Sequence, residues 1–230
     1  MTEASSTVQS GSETMQSGPG AVQSGSETMQ SAAGTRLNRK GRETRQRLLD
    51  VAIGCLADGG GEPLSANRVA KEAGVSWGTL KHQFGDIDGL WAAVLGELTD
   101  RSGANSPWPQ ITGSVRERVS ELVDAIWDIL NSPEGRAVET LRAGLPSDQG
   151  ERRSTLPLTT AAMARYEDAW LRVFVYALAD LSLDSDKVHR VQALIPMAMR
   201  GIYSERRLSS EAELDRARDC LVDALAIYLQ

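Results

Sequence analysis

The chain has 230 residues, 41% hydrophobic and 24% charged, with a net charge of −6. That is enough for one large domain or two small ones with a proper core, and no apolar run approaches the roughly 18 residues of a membrane span. No basic patch followed by an apolar stretch opens the chain, so no signal peptide is visible and a cytoplasmic protein is expected; two cysteines, Cys55 and Cys220, supply neither a disulfide framework nor, alone, a zinc site.

Residues 1–35 are rich in Ser, Gly, Thr and Gln, and the decapeptide Val-Gln-Ser-Gly-Ser-Glu-Thr-Met-Gln-Ser stands at 8–17 and again at 22–31. Two copies without an apolar stripe do not make a solenoid, so the composition predicts a disordered tail with no assigned role. Residues 36–47 form a basic arm that runs into a first helix reaching about Ala57. Arg42, Arg45 and Arg39 either reach phosphates or a minor groove, or serve as a solvated flank. Cys55, among Leu48, Leu49, Ala52 and Leu56, reads as a small buried hydrophobe rather than a redox sensor. Three glycines at 59–61 break the helix.

The charge is unevenly spread. Residues 36–85 hold nine basic side chains against five acidic, a surplus of four, whereas residues 1–35 hold three acidic and no basic ones, which leaves −7 on residues 86–230. A basic module followed by an acidic body suits a protein that docks one end on phosphates.

Within the basic module, residues 65–84 read as two short helices around a tight turn. Ser65 is an N-cap candidate, with Val69, Ala70 and Ala73 on one face behind it. Gly74 stands where a helix end needs positive φ, and Ser76 can cap a second helix whose Leu80 and Phe84 face inward. Trp77, Gly78, Lys81 and His82 then face outward, as on the reading helix of a helix-turn-helix. Gly78 lets the backbone approach a phosphate or base edge, and Ser65, Ser76 and Thr79 offer hydroxyls and helix-start amides to phosphates. Lys81 suits phosphate or guanine. His82 and Gln83 can exchange hydrogen bonds with DNA, Arg68 is a phosphate candidate or a surface charge, and Trp77 lies on a thymine methyl or sugar edge or packs on the module.

The run Ala73-Gly74-Val75-Ser76, then Gly78-Thr79-Leu80, then Phe84, resembles the DNA-binding signature of tetracycline-repressor (TetR) type regulators. The match spans residues 41–95; beyond it only length and helical character agree. Lys81 stands where these proteins usually carry tyrosine, Gln83 where histidine is common and Ile87 where lysine often opens the next helix.

After Phe84, Asp86 can cap a helix to about Arg101, residues 102–109 form a breaker-rich linker, and the body reads as helices throughout. Apolar residues recur at helical period over 111–130, a short helix reaches Leu141, and 144–150 is loop. A long helix over 158–181 carries Met163, Tyr166, Trp170, Phe174 and Leu178. Residues 186–207 form a helix that Pro196 should kink. The last helix, from 210 on, sets Leu214, Ala217, Leu221, Ala224, Leu225 and Tyr228 on a heptad seam. The expected fold is therefore all-α: a three-helix helix-turn-helix module at 36–86 and a helical body at 87–230, which the resemblance implies is a ligand-binding and dimerisation domain.

The resemblance implies a homodimer built through the last two helices as a four-helix bundle, with Met197, Ile202, Leu214, Leu221, Leu225 and Tyr228 as interface candidates; packing within the chain is the other reading. It also implies a small hydrophobic ligand between body helices, with Trp127, Tyr166, Trp170 and Phe174 as candidates against plain core packing. No catalytic motif, metal-ligand cluster or cofactor loop stands out, so an enzyme is not expected and no metal or cofactor is assigned. The sequence thus points to a DNA-binding regulator, a repressor released from a palindromic operator by its ligand. A helical ligand- or protein-binding module with a vestigial DNA-binding domain is the alternative, which the departures at Lys81 and Gln83 keep open.

Overall fold

The computed structural model describes residues 30–32, 34, 36–59, 65–102 and 111–230. Most of the expected tail and most of the linker lie outside these residues. Among them are ten α-helices and one 3-10 turn, with no strand beyond an isolated bridge between Gln30 and Arg36. The helices are α1 (Arg39–Asp58), α2 (Ala66–Glu72), α3 (Trp77–Phe84), α4 (Ile87–Arg101) and α5 (Val115–Asn131), followed by α6 (Pro133–Ala143), α7 (Gln149–Thr155), α8 (Pro157–Leu178), α9 (Ser185–Ser204) and α10 (Glu211–Leu229). Among the described residues no helix is long and apolar enough to cross a membrane.

Local chemistry explains the starts. Asn38, Ser65, Ser76, Asp86, Ser114, Ser132, Asp148 and Asp184 each accept a backbone N–H from the helix they open, which satisfies donors the helix itself cannot. Ser114 and Glu117 cap one another, so α5 begins at Val115 rather than at Ile111, which joins the core as a loop residue. Gly59 ends α1 with a φ of 58°, the left-handed conformation glycine adopts without penalty. Helix α7 falls where a loop and the approach to the long helix were expected. It buries none of its residues, so no apolar period betrays it. Helix α9 runs on through Pro196.

Two apolar clusters meet along α8. The first joins α1 to α4 with α6 and the first half of α8, around Leu48, Leu80, Leu90, Leu95 and Met163. The second joins α5, the far half of α8, α9 and α10, around Leu122, Phe174, Ile195 and Met199. Trp170 packs against both.

Polar clamps fix α8 at each end. Near its C-terminus the buried Arg118 of α5 donates to the carbonyls of Gly113 and Ala177, each at 3.0 Å, and to both carboxylate oxygens of Asp180. The bond from Arg118 holds the Asp180 carboxyl below its usual range. The N-terminus of α8 has no side-chain cap of its own; Leu156 precedes it and Pro157 opens it. The cap comes instead from α4, where the buried Asp88 accepts from the amides of Leu158 (2.9 Å) and Thr159 (2.7 Å), and the Thr159 hydroxyl donates back to the Asp88 carbonyl.

Candidate nucleic-acid interface

The turn between α2 and α3 is built as its sequence demands. Gly74 adopts a φ of 64°, and the amides of Gly74 and Val75 bond back to Lys71 and Ala70 at 3.1 and 3.0 Å, closing α2. Ser76 Oγ accepts the Thr79 amide at 3.1 Å and shares a hydrogen bond with the Thr79 hydroxyl at 2.9 Å. The inner side of α3 is Leu80, Gln83 and Phe84, all buried. The outer side gathers Trp77, 45% exposed, with exposed Gly78, Lys81 and His82. A Cβ on Gly78 would meet only Ser76 Oγ, at an ordinary 3.6 Å. The fold therefore does not require glycine there, and its bareness faces outward.

Several expected contacts are placed differently. Gln83 is 4% exposed and donates from Nε2 to the Gly41 carbonyl at 3.3 Å, so it ties α3 to α1 and is not a DNA-facing group. It stands three residues after Leu80, on the same helical face, a position its polarity disguised. Arg45 donates to the Gln83 carbonyl at 2.8 Å and lays its guanidinium over the Phe84 ring, 4.3 Å from the centroid. Burial pushes its pKa below the ordinary value, against the pull of Glu97. Arg45 thus spends its charge fastening the C-terminal end of α3 instead of standing free for phosphate. Arg42 donates to the Leu37 carbonyl at 2.9 Å and remains exposed. Ser65 caps α2 through the Arg68 amide at 3.3 Å. The Arg68 side chain pairs with Glu72 at 2.8 Å, and Glu72 also accepts the buried Cys55 thiol at 2.8 Å.

A cavity in the body is a second candidate. It has a volume of about 260 Å³ and opens between α5, α6, α8 and α9. Tyr166, Trp170 and Phe174 line it, as do Ile126, Ile129 and Leu130. Trp127 does not. Its ring packs edge-on against Tyr203, 6.2 Å between centroids, beneath the Arg218 guanidinium. Unforeseen members are Glu139 and Arg142 of α6, Glu167 of α8 and Arg200 of α9; charged residues on helix faces read as solvated, and only the packing of α6 on α8 and α9 turns them inward.

The heptad seam of α10 is largely spent inside the chain. Leu214 and Leu225 are 5% and 4% exposed, and Leu221 is partly buried against the second cluster, so these are intrachain packing residues rather than free interface. Met197, at 63%, lines the cavity mouth, Tyr228 is 40% exposed and Ile202 is half-buried. The outward apolar residues of α9 and α10 are Leu194, Met197, Ile227 and Tyr228.

Residues 48–94, which span α2, α3 and most of α1 and α4, match the family model described as bacterial regulatory proteins, tetR family. No curated protein matches the chain. Solved structures with the same fold include GusR of Salmonella enterica, 20% identical with a TM-score of 0.55, over 81% of this chain and 93% of that one. A TetR transcriptional regulator from Rhodococcus sp. RHA1 is 18% identical with a TM-score of 0.53, over 81% and 96%. NalD of Pseudomonas aeruginosa, described as the secondary repressor of the MexAB-OprM multidrug efflux pump, is 15% identical with a TM-score of 0.55, over 83% and 97%.

Proposed function

We propose that this chain, with its tetR-family match at residues 48–94 and the fold of TetR-type transcriptional regulators, is a DNA-binding regulator that represses from a palindromic operator. The observation that carries this reading is the outer face of α3. Trp77, Gly78, Lys81 and His82 stand exposed there, on a helix whose inner face is locked by Leu80, Gln83 and Phe84. Ser76, Thr79 and Arg42 flank that face and supply backbone contacts.

One such helix reads too few base pairs for useful specificity. A two-fold dimer sets two of them ~34–36 Å apart, one turn of duplex, and makes the operator a palindrome. The outward apolar residues of α9 and α10, Met197 and Tyr228 among them, form the dimer surface, with the half-buried Ile202 at its edge. A small hydrophobic ligand held by Tyr166, Trp170 and Phe174 releases the DNA, and a full switch needs a preference of ~10⁴ for the released arrangement. NalD, a secondary repressor with the same fold, supports the choice of repression. The protein works in the cytoplasm, where its operator lies, and needs no cofactor.

Selection of bound duplexes from a random pool tests this directly. A palindrome with half-sites about one turn apart is the expected product, and an unenriched pool overturns the proposal. On the selected site, Lys81→Ala lowers affinity and reduces the slope of log K against log salt by about one. An unchanged slope removes Lys81 from the phosphate contacts.

A further inference from the structure

One end of the body cavity is charged, and its charges are unevenly matched. Arg142 Nη1 donates to Glu167 at 2.5 Å, and its Nε donates to Glu139 at 3.3 Å. Burial opposes the Arg142 charge, but these carboxylates outweigh it and raise the pKa. Both carboxylates at this end are therefore already engaged by one guanidinium. Arg200 lies beside them on the cavity wall, yet among the described residues no carboxylate stands within 4.0 Å of its guanidinium, which donates to no acceptor there. Its pKa falls below the ordinary value, first because it is partly buried and then because Arg142 repels it, despite the attraction of Glu139 and Glu167.

Along the rest of the wall, Ile126, Ile129, Leu130, Phe174 and Pro196 present hydrocarbon. At about 260 Å³ the space is slightly smaller than the ~300 Å³ at which drug-sized sites begin. We propose, resting on the reading of this cavity as the ligand site, that its ligand is a small amphipathic acid whose carboxylate docks on Arg200 while its apolar body fills the wall of α5 and α8. A guanidinium presents a planar fork of donors that fits a carboxylate and, unlike an amine, does not shed its proton on burial. An ammonium head is disfavoured because Arg142 already occupies the two carboxylates and Arg200 repels a second cation.

Calorimetric titration of the full chain with octanoate, octan-1-ol and octylamine, matched in chain length, reads the head group. The chain is expected to bind octanoate about ten- to a hundredfold more tightly than octan-1-ol, the gain of charge-assisted hydrogen bonds. Arg200→Gln brings octanoate to the level of the alcohol and leaves the alcohol within about twofold of the unaltered chain, whereas Arg200→Lys keeps part of the preference. Equal binding of acid and alcohol, a preference for the amine, or a preference that survives Arg200→Gln overturns the carboxylate assignment while leaving the cavity a ligand site. If none of the three binds, the ligand-site reading itself falls, and the assignment with it.

Discussion

Asp88→Ala is expected to lower the stability of the chain by about 3 kcal/mol, measured as a fall in the urea midpoint at constant m-value. Asp88 is 6% exposed, and its two oxygens cap the only α-helix among the described ones that opens without a side-chain cap or capping box of its own. Truncation leaves two amides at the start of α8 without their acceptors, at roughly 1–3 kcal/mol each, and removes a negative charge from a helix N-terminus. Asp88→Asn is expected to lose nearly as much, because both oxygens accept and an amide turns one of them into an opposed N–H donor. A loss below about 1 kcal/mol in both variants would show that the cap is not the bond that joins these helices. The same residue ties the helix that lines the cavity to the helix that follows α3. Helix α8 carries Tyr166, Trp170 and Phe174, and α4 follows α3 after the two-residue turn Gly85-Asp86. Where cavity occupancy acts on DNA binding, the Asp88 variants blunt its effect.

Gly89→Ala is expected to cost about a hundredfold in affinity for the duplex selected from the random pool, at fixed salt and with helix content preserved. A Cβ at Gly89 would stand 2.0 Å from the Phe84 carbonyl oxygen and 3.1 Å from its carbon. Backbone cannot yield as a flexible side chain does, so the end of α3 must move. Phe84 is the last residue of α3, its ring buried beneath Arg45, and the displacement passes to Lys81 and His82 one turn away. Overpacking of this kind destabilises by about 1–3 kcal/mol as well. Gly96→Ala is the internal control. It lies in the same helix with nothing within 4 Å of the added carbon, and alanine there is neutral or stabilising by up to about 1 kcal/mol. Wild-type affinity in Gly89→Ala would mean that α3 tolerates a shifted end.

Local rules made the helix-turn-helix legible from its residues. Caps at Ser65 and Ser76, a left-handed Gly74, and Leu80 with Phe84 four apart are signals that act within one turn of chain, and all stand where expected. The all-α architecture followed from apolar periods of the same kind. What stayed hidden depends on distance. Asp88 meets amides seventy residues away, Arg118 meets Asp180 across two packed helices, and Arg200 has its neighbours on α6 and α8. Polarity also misled. Gln83 looked like a reader of DNA because it can hydrogen-bond, while its inward position is set by Leu80. The seam of α10 showed that Leu214, Leu221 and Leu225 share a side, but a heptad does not say whose helix covers it. Trp127 differs from Trp170 only in the partners that folding brings, Tyr203 for one and the cavity for the other.

The two cysteines live in unlike surroundings. Cys55 donates to Glu72, and burial, with that bond, pushes its thiol up to about 11, so at neutral pH the nucleophilic thiolate amounts to about one molecule in ten thousand. Cys220 lies exposed on α10. Alkylating reagents that meet the native protein consequently mark its trunk and spare its head until α1 and α2 part.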